Sequence, residues 1–409
     1  MNTDKQSISE SNNDNSSNSS LDNEVASVSE FIRTVSEILK DTDSTKETIF
    51  FRGHSDEDYS LVPSLLRTSS KNKSKLGKAD PNIVREEHVA YRRIIAQQSF
   101  EFDGCMSTIE YLVKMQHYGL YTRLLDITSN PLIALNFACT NPSREIKSKV
   151  GEVIVFKVPN EYVKYYDSDT ISAVANIAKC KATDFDFALC GEEDNDIKYD
   201  YFLKGLGYKE GQTTYERYVN GRKSKNSLLG LVSNKLQNSA LESCEETLEE
   251  EKYKSWFNAQ LSYLHHQIKG EKSYYAASIH PYDLGKVWAV QVKKDNPRVV
   301  NQRGAFFIFG LGLTEKEIND DQVRLFYSKD RYPLIPETFE RRKENDRTHT
   351  NWIAGRIKIG RVGHEKEDKE KLIEDLNRMG IHHSFVFPDL ENVAKEINET
   401  LLKDMSKKQ

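Results

Sequence analysis

The sequence has few cysteines, and the ones it has are scattered. Five of its 409 residues are cysteine, and no two of them form a CxxC pair. An odd, dispersed set of cysteines is not the pattern of a disulfide scaffold or of a structural zinc site. The composition therefore favours a reducing, cytoplasmic location.

Long apolar runs and an excess of positive charge are also missing. The 58 basic and 63 acidic side chains leave a formal net charge of −5. Without an unbroken apolar stretch of about 20 residues, no transmembrane helix is predicted. A nearly balanced charge gives no strong signal for nucleic acid, although a local basic groove stays open.

Several common catalytic signatures are absent. The chain has no glycine-rich phosphate loop with its lysine and no GxSxG elbow. His265-His266 and His382-His383 are adjacent pairs, and adjacent side chains diverge on helices and strands alike. Neither pair supplies two ligands to one metal ion, so no metal site is predicted.

Local patterns predict both helices and strands. Apolar residues at three- and four-residue steps, with capping residues, predict helices over 25–39, 81–100, 107–117, 132–139 and 169–177. Runs of β-branched and aromatic residues predict strands over 48–53, 151–158, 287–292, 305–309 and 385–387. These strands lie far apart in the chain. We therefore predict an α+β fold with a mixed or antiparallel central sheet and helices inserted between its strands.

Two segments differ in composition from the rest. Residues 1–23 are rich in Asn, Ser and Asp, which predicts a disordered leader and not a signal peptide. Charged residues dominate about 190–254, which predicts an exposed helical insertion. We predict that residues 24–402 form one elaborated domain around this insertion.

Arg52 stands directly after two aromatic residues and before Gly53. This position places a guanidinium at the end of a buried strand, where it can bind phosphate or carboxylate through two parallel hydrogen bonds. Gly53 would let a ligand approach the backbone. Pairing of Arg52 with an internal carboxylate is the alternative.

A second dense segment runs from His117 to Pro131. If it is extended, Thr122 and Asp126 share one face and Arg123 lies on the other. Asp126 could instead cap the next helix or pair with Arg123. His117 is a candidate acid or base, or a packing residue.

Five blocks occur in the order known from one family. They are Phe51-Arg52-Gly53, HYGLYTRLLD running into NPLIALNFA, SDTISAVANIA, Asn301-Gln302-Arg303-Gly304-Ala305-Phe306, and IHHSFVFPDLENVAKEI. Together they resemble the FRG domain, from about residue 29 to 390. Tyr121 stands where the family usually has proline and Ile127 where tryptophan is common, which concerns the loop and its packing.

The same order more distantly resembles mono-ADP-ribosyltransferases. That resemblance implies NAD as co-substrate, with Arg52 on its pyrophosphate and Thr122 and Arg123 flanking the pocket. His117, Tyr118 and Gly53 are the further candidate contacts to the nucleotide. Gln302 stands near the position of the family's late acidic residue, where an amide cannot supply the charge of a carboxylate.

Asp126 or Glu152 would then have to supply that charge. A turn residue before a core strand is the alternative role for Gln302.

The resemblance leaves two functions open. One is an intracellular ADP-ribosyltransferase-like or NAD glycohydrolase-like effector or toxin acting on a protein or nucleotide target. The other is a non-catalytic ligand-sensing or protein-interaction module in bacterial or phage defence.

Overall fold

The computed structural model describes most of the chain outside the predicted leader and insertion. The described residues are 24–67, 79–140, 145–187, 189, 254–276, 278–280, 282–319, 322–336 and 351–406. The predicted leader at 1–23 lies outside them, as does nearly all of the predicted insertion at about 190–254.

The strands follow the residues that the β-branched and aromatic runs indicate, with additions. They are β1 (Glu24–Val25), β2 (Glu47–His54), β3 (Leu124–Thr128), β4 (Gly151–Pro159), β5 (Val163–Tyr165), β6 (Val287–Gln291), β7 (Gly304–Phe309), β8 (Gly312–Asn319), β9 (Gln322–Ser328) and β10 (Ile353–Ile359). Eight of them form one sheet in the order β1-β10-β4-β2-β3-β7-β6-β5, and β8 and β9 form a separate hairpin.

Helices are inserted between these strands. They are α1 (Val28–Ile38), α2 (Pro81–Arg85), α3 (Glu87–Gln97), α4 (Thr108–His117), α5 (Pro131–Cys139), α6 (Asp169–Asn176), α7 (Ser262–Lys269), α8 (Pro297–Asn301), α9 (Glu365–Arg378), α10 (His383–Val386) and α11 (Leu390–Ser406). Side-chain caps fix several starts. Ser27, Asn130 and Asn296 each accept a backbone N–H from the first turn of the helix that follows.

The sheet consists of two halves with a weak join. On one side β4 pairs with β2 and β10 over long antiparallel registers, and on the other β7 pairs with β3 and β6. The halves meet between β2 and β3, where the register contains the single pair Phe51–Thr128. Because β2 and β3 share only this one pair, a side chain of one strand can lie between the two strands at this boundary.

The core divides between the two faces of the sheet. On one face α5 packs on β2 and β4, and α1 and α9 pack on β10. On the same face α4 packs on β3 and α6 on β7, and α7 packs against α6. The opposite face carries a third cluster centred on Phe50, Phe156, Phe307 and Trp352. Both faces of the sheet are covered, and the sequences of the interior strands are therefore nearly continuous runs of apolar residues.

The prediction of an α+β fold with a mixed, largely antiparallel central sheet is confirmed. The helix predicted over 81–100 is broken into α2, α3 and a 3₁₀ turn at Ser99–Phe102. The strand predicted over 385–387 is wrong. That segment lies mostly in the short helix α10, whose first turn is capped by the His382 side chain.

Candidate functional site

Arg52 occupies the join between the two halves of the sheet. It follows Phe51, the last β2 residue that pairs with β3, and its Nη1 donates to the backbone carbonyl of Asp126 at 2.5 Å. The guanidinium thus bonds to β3 just beyond the last paired residues. An arginine at this position joins the two halves of the sheet, and the rest of its guanidinium group lies at the boundary between them.

The surroundings of Arg52 are polar but largely dry. Its side chain is 13 % exposed, and its Nε donates to Nε2 of His54 at 2.8 Å. Burial lowers the pKa of Arg52 to about 10, although the charge of Asp126 acts in the other direction. The nearest carboxylate oxygen, Oδ2 of Asp126, is 3.9 Å from Nη1. Among the described residues this 3.9 Å contact is the one ion pair of Arg52, and it is longer than a charge-assisted hydrogen bond.

Asp126 is the carboxylate at this boundary. It lies on β3 between Leu125 and Ile127, whose side chains are buried on the opposite face. The Asp126 side chain is 54 % exposed. It does not cap α5, because Asn130 does so, and it does not pair with Arg123. The carboxylate is thus left free to meet a ligand.

Arg67 approaches from the start of β3. It follows a 3₁₀ turn at Ser64–Leu66, which is tied to Thr122 by the bond from Leu65 N to Thr122 O at 3.2 Å. Its Nε donates to the carbonyl of Val62 at 3.0 Å, and it forms no ion pair with a described residue. Desolvation lowers the pKa of Arg67, and Asp126 is the carboxylate that opposes this shift.

Arg298 approaches from the other end of β3. Its helix α8 ends at Gln302, whose carbonyl accepts a hydrogen bond from Thr128 Oγ1 at 2.6 Å. The Arg298 guanidinium lies 4.7 Å above the Phe387 ring, and its buried Nε has no hydrogen-bond partner in the part of the chain that the structure describes. Burial lowers its pKa, with Asp126 and Asp389 acting in the other direction.

Arg52, Arg67 and Arg298 form a set that we call the arginine cluster. The charge of Asp126 acts to raise the pKa of each of the three. Exposed aromatic side chains lie beside the cluster, since Tyr59 and Tyr121 both influence Arg67. Positive guanidinium groups with spare donors beside aromatic rings are suited to a ligand that carries phosphate and a flat ring.

Two buried polar side chains, those of His54 and Glu152, lie next to Arg52. His54 is 3 % exposed, and its Nδ1 is 3.8 Å from Oε2 of Glu152. Burial raises the pKa of Glu152, but the nearby His54 and the hydrogen bonds from Arg356 outweigh this and lower it. Glu152 is thus a buried, ionised support for His54, and Arg356 contacts it from β10.

Comparison with known families adds one match. Residues 47–147 match the family model of the FRG domain. The protein therefore contains an FRG domain. The match covers less than half of the chain, and no curated protein or solved structure matches it. The comparisons add no support for the likeness to ADP-ribosyltransferases.

The FRG domain supplies most of the site. Arg52, Arg67 and Asp126 lie within the matched residues, whereas Arg298 and Gln302 lie outside them. The larger extent expected from the sequence, about 29 to 390, stays a prediction.

Two of the predicted site residues within the FRG domain are buried away from the boundary. Thr122 is 1 % exposed, and its hydroxyl donates to Oε1 of Gln116. Arg123 is also 1 % exposed and donates to both carboxylate oxygens of Glu87, at 2.9 and 2.5 Å. Lys329 completes this buried ion cluster at 2.8 Å from Glu87. The geometry gives Thr122 and Arg123 structural partners.

His117 and Tyr118 lie at the C-terminal end of α4, near Arg298. His117 Nδ1 is 3.1 Å from the amide nitrogen of Asn296, and burial lowers the pKa of His117 to about 4. Tyr118 is exposed and donates to Glu101 at 2.7 Å, which raises its pKa. Neutral His117 borders the cluster, while Tyr118 is bonded to a residue outside it.

Gly53 and Gln302 have packing roles. A Cβ at Gly53 would overlap the carbonyl oxygen of Ala134, so the glycine admits helix α5 and not a ligand. Gln302 is 9 % exposed, and its amide donates to the carbonyl of Val386 at 3.0 Å. Gly53 thus allows α5 to pack closely on β2, and Gln302 links the end of α8 to α10.

Sequence reasoning missed Arg67 and Arg298. Arg67 ends a short turn beside a Lys/Ser-rich stretch, and nothing local distinguishes it from a solvated arginine. Arg298 has a local signal, because Asn296-Pro297 is a good N-cap followed by proline at the first helical position. That signal predicts the helix but not that the charge of Asp126 acts on its arginine.

Among the described residues, no group of three or more His, Cys, Asp or Glu side chains is arranged to hold a metal ion. No helix among them has the length and apolar character needed to cross a membrane.

Proposed function

We propose that the arginine cluster binds the phosphates of a nucleotide, and that this nucleotide is NAD. The observation that carries the proposal is Arg52 at the join of the sheet, with its Nη1 3.9 Å from Oδ2 of the exposed Asp126. Burial lowers the pKa values of Arg67 and Arg298, and both lie near enough for the charge of the same carboxylate to oppose this. Neither Arg67 nor Arg298 has an ion-pair partner among the described residues. Uncompensated guanidinium groups favour an anion with several oxygens, and a pyrophosphate is such an anion.

The exposed tyrosines suit the rest of a nucleotide. Tyr59 is 42 % exposed and Tyr121 is 59 % exposed, and both influence Arg67. A base or nicotinamide ring stacked on either ring would leave its phosphates within reach of the arginine cluster. Tyr121 therefore supplies a ring at the position where the family usually has proline.

We further propose that the reaction is transfer or hydrolysis at the ribose of NAD. The N-glycosidic bond of NAD breaks, and nicotinamide leaves with the bonding electron pair. C1′ then forms a bond to the oxygen of water or to a nucleophilic atom of a target side chain, which releases its proton to the solvent. A carboxylate close to the ribose stabilises the cationic transition state. Asp126 is our candidate for this role, because the amide of Gln302 is already bonded to Val386.

Binding and turnover can be tested separately. Calorimetric titration with NAD, ADP-ribose and ATP measures binding, and chromatography of nicotinamide measures turnover. We expect Arg52→Gln and Arg298→Gln to weaken NAD binding by roughly tenfold to a hundredfold, because each removes charged hydrogen bonds. Arg378→Gln is the matched control, since Arg378 is 74 % exposed on α9. Equal affinity in all three variants would refute phosphate binding by the cluster.

Asp126→Asn distinguishes the two functions left open by the sequence. We expect this variant to bind NAD and to lose nicotinamide release by at least about a hundredfold, as expected when a preorganised charge is removed. If wild-type protein binds NAD and releases no nicotinamide, the chain is a non-catalytic sensing module. The neutral amide of Gln302, already bonded to Val386, favours that second function, because it supplies no negative charge to a cationic transition state.

A further inference from the structure

A small cavity lies away from the arginine cluster, between the sheet and the residues that follow β9. Its volume is about 90 Å³, which is room for several water-sized groups. Apolar side chains, among them Val287, Leu311 and Leu313, form much of its wall. Trp352 and Lys286 supply two hydrogen-bond donors among the side chains that line it.

The indole of Trp352 has a buried donor without an acceptor. Trp352 is 1 % exposed, and its Nε1 has no hydrogen-bond partner among the described residues. Its ring is fixed by Tyr162 and Phe307, whose centroids lie 5.2 and 5.6 Å away. A buried N–H without a partner costs about 1–3 kcal/mol, so an acceptor that reached it from the cavity would be bound favourably.

Lys286 brings an ammonium group to the same wall. Its Nζ lies 5.4 Å from the Tyr162 ring centroid and 4.2 Å from that of Tyr282. Asp283 and Glu161 influence it electrostatically, but it forms no ion pair with a described residue. Tyr162 thus contacts both Trp352 and Lys286, which places an uncompensated cation near the indole donor.

We infer that this cavity binds a small carboxylate whose short apolar chain contacts the cavity wall. One carboxylate oxygen accepts the Trp352 N–H, and Lys286 balances the charge. A neutral ketone of similar size would fill the same space and accept the same hydrogen bond. It would lack the attraction to Lys286, so it would bind less tightly.

Titration of ¹⁵N-labelled protein with butyrate or 2-pentanone tests this inference. The chain has three tryptophans, so its spectrum contains three indole N–H signals. Trp352→Phe identifies the relevant one. Trp288 is an internal reference, because its N–H already bonds to the carbonyl of Asp283 at 2.9 Å. We expect butyrate to move the Trp352 signal downfield and to saturate.

Substitution of Lys286 tests the charge. We expect Lys286→Met to weaken butyrate about tenfold and to leave 2-pentanone unchanged. Lys164→Met is the matched control, because Lys164 also contacts an aromatic ring, at 5.2 Å from Trp288, but does not line the cavity. Lys286→Met leaves the indole in place, so it remains informative even if Trp352→Phe does not fold.

Two results would overturn the inference. No movement of the Trp352 signal with either probe would mean that the cavity holds water only. Equal affinity for both probes, unchanged in Lys286→Met, would mean that apolar contact alone determines binding. The arginine cluster shares no residue with the cavity, so either result leaves the nucleotide proposal intact.

Discussion

Arg52 Nε lies 2.8 Å from Nε2 of His54, and this contact determines which nitrogen of the imidazole carries the proton. A guanidinium only donates, so Nε2 accepts and neutral His54 is protonated at Nδ1. Nδ1 in turn lies 3.8 Å from the carboxylate of Glu152. Protonation of Nε2 would break the bond to Arg52 and place two positive charges together. His54 therefore holds Arg52 in place while it is neutral.

The first prediction concerns the pH dependence of stability. Burial lowers the pKa of His54 from its ordinary 6.5 to about 4, so the unfolded chain binds the proton more readily than the folded chain. The stability contributed by neutral His54 is complete above pH 6.5 and is lost as the pH falls towards 4. We expect the free energy of unfolding to drop by roughly 3 kcal/mol over this window. Urea unfolding at a series of pH values measures it.

His54→Gln tests the assignment to this histidine. The glutamine oxygen can still accept the Arg52 hydrogen bond, but the side chain does not titrate. We expect the slope between pH 6.5 and 4 to become shallower. His364→Gln is the control, because His364 is 60 % exposed. Equal slopes in the two variants would contradict the prediction.

The second prediction concerns the buried ion cluster of Arg123, Glu87 and Lys329. Burial raises the pKa of Glu87, but Arg123 and Lys329 outweigh it and hold the pKa at about 2. Glu87→Gln leaves two buried cations with one neutral partner, so we expect a loss of about 3–5 kcal/mol in the free energy of unfolding. Chemical denaturation at neutral pH measures the loss.

An exposed pair on α9 provides the comparison. Lys366 and Glu370 are more than half exposed, so Glu370→Gln should change stability by less than about 0.5 kcal/mol. NAD affinity per folded molecule should be the same in Glu87→Gln and wild type. A selective loss of affinity without loss of stability would instead place Arg123 in the binding site.

The third prediction concerns Gly53. A Cβ there would overlap backbone atoms of Ala134 and Ala138, so helix α5 would have to move away from β2. We expect Gly53→Ala to cost more than about 3 kcal/mol, measured by thermal or urea unfolding, because backbone atoms cannot step aside as a side chain does. Gly104→Ala is the control, since a Cβ there meets nothing within 4 Å. Similar stabilities of the two variants would show that α5 is free to shift.

Local signals explain which parts of the fold could be predicted. β2, β4 and α5 carry their own pattern of β-branched residues or caps, and they appear where the sequence placed them. The segment 385–387 has strand-like residues, but His382 caps a helical turn there and no strand is available beside it. Composition cannot show whether a strand has a partner, because pairing depends on distant residues.

The site was less predictable than the fold for the same reason. The aromatic-Arg-Gly pattern identified Arg52, which lies at the boundary between the halves of the sheet. From the sequence, Arg123 is an equally suitable candidate for the site. Its side chain instead bonds to Glu87 of α3 and therefore does not lie at the boundary. Arg298 belongs to a helix far along the chain, yet the charge of Asp126 acts on its pKa. Only the tertiary arrangement distinguishes these three arginines.

The fourth prediction concerns Gln302, the residue that stands where an acid was expected. Its Nε2 donates to the carbonyl of Val386 at 3.0 Å, and this bond ties α8 to α10. We expect Gln302→Ala to lower the free energy of unfolding by about 1–2 kcal/mol, because a buried carbonyl loses its donor. Asn301→Ala is the control. It removes a similar bond, to the carbonyl of Phe385 at 2.8 Å, in a more exposed place, and should cost less.

The Gln302→Glu variant tests whether residue 302 stands at the position of a catalytic acid. A carboxylate cannot donate to the Val386 carbonyl, so we expect this variant to be less stable than Gln302→Ala. If Gln302 stood at the position of a catalytic acid, the new carboxylate would raise nicotinamide release. We expect no such rise, because the side chain is bonded to Val386 and Asp126 is the carboxylate beside the arginine cluster. Nicotinamide chromatography on the Gln302→Glu and Asp126→Asn variants compares the two positions directly.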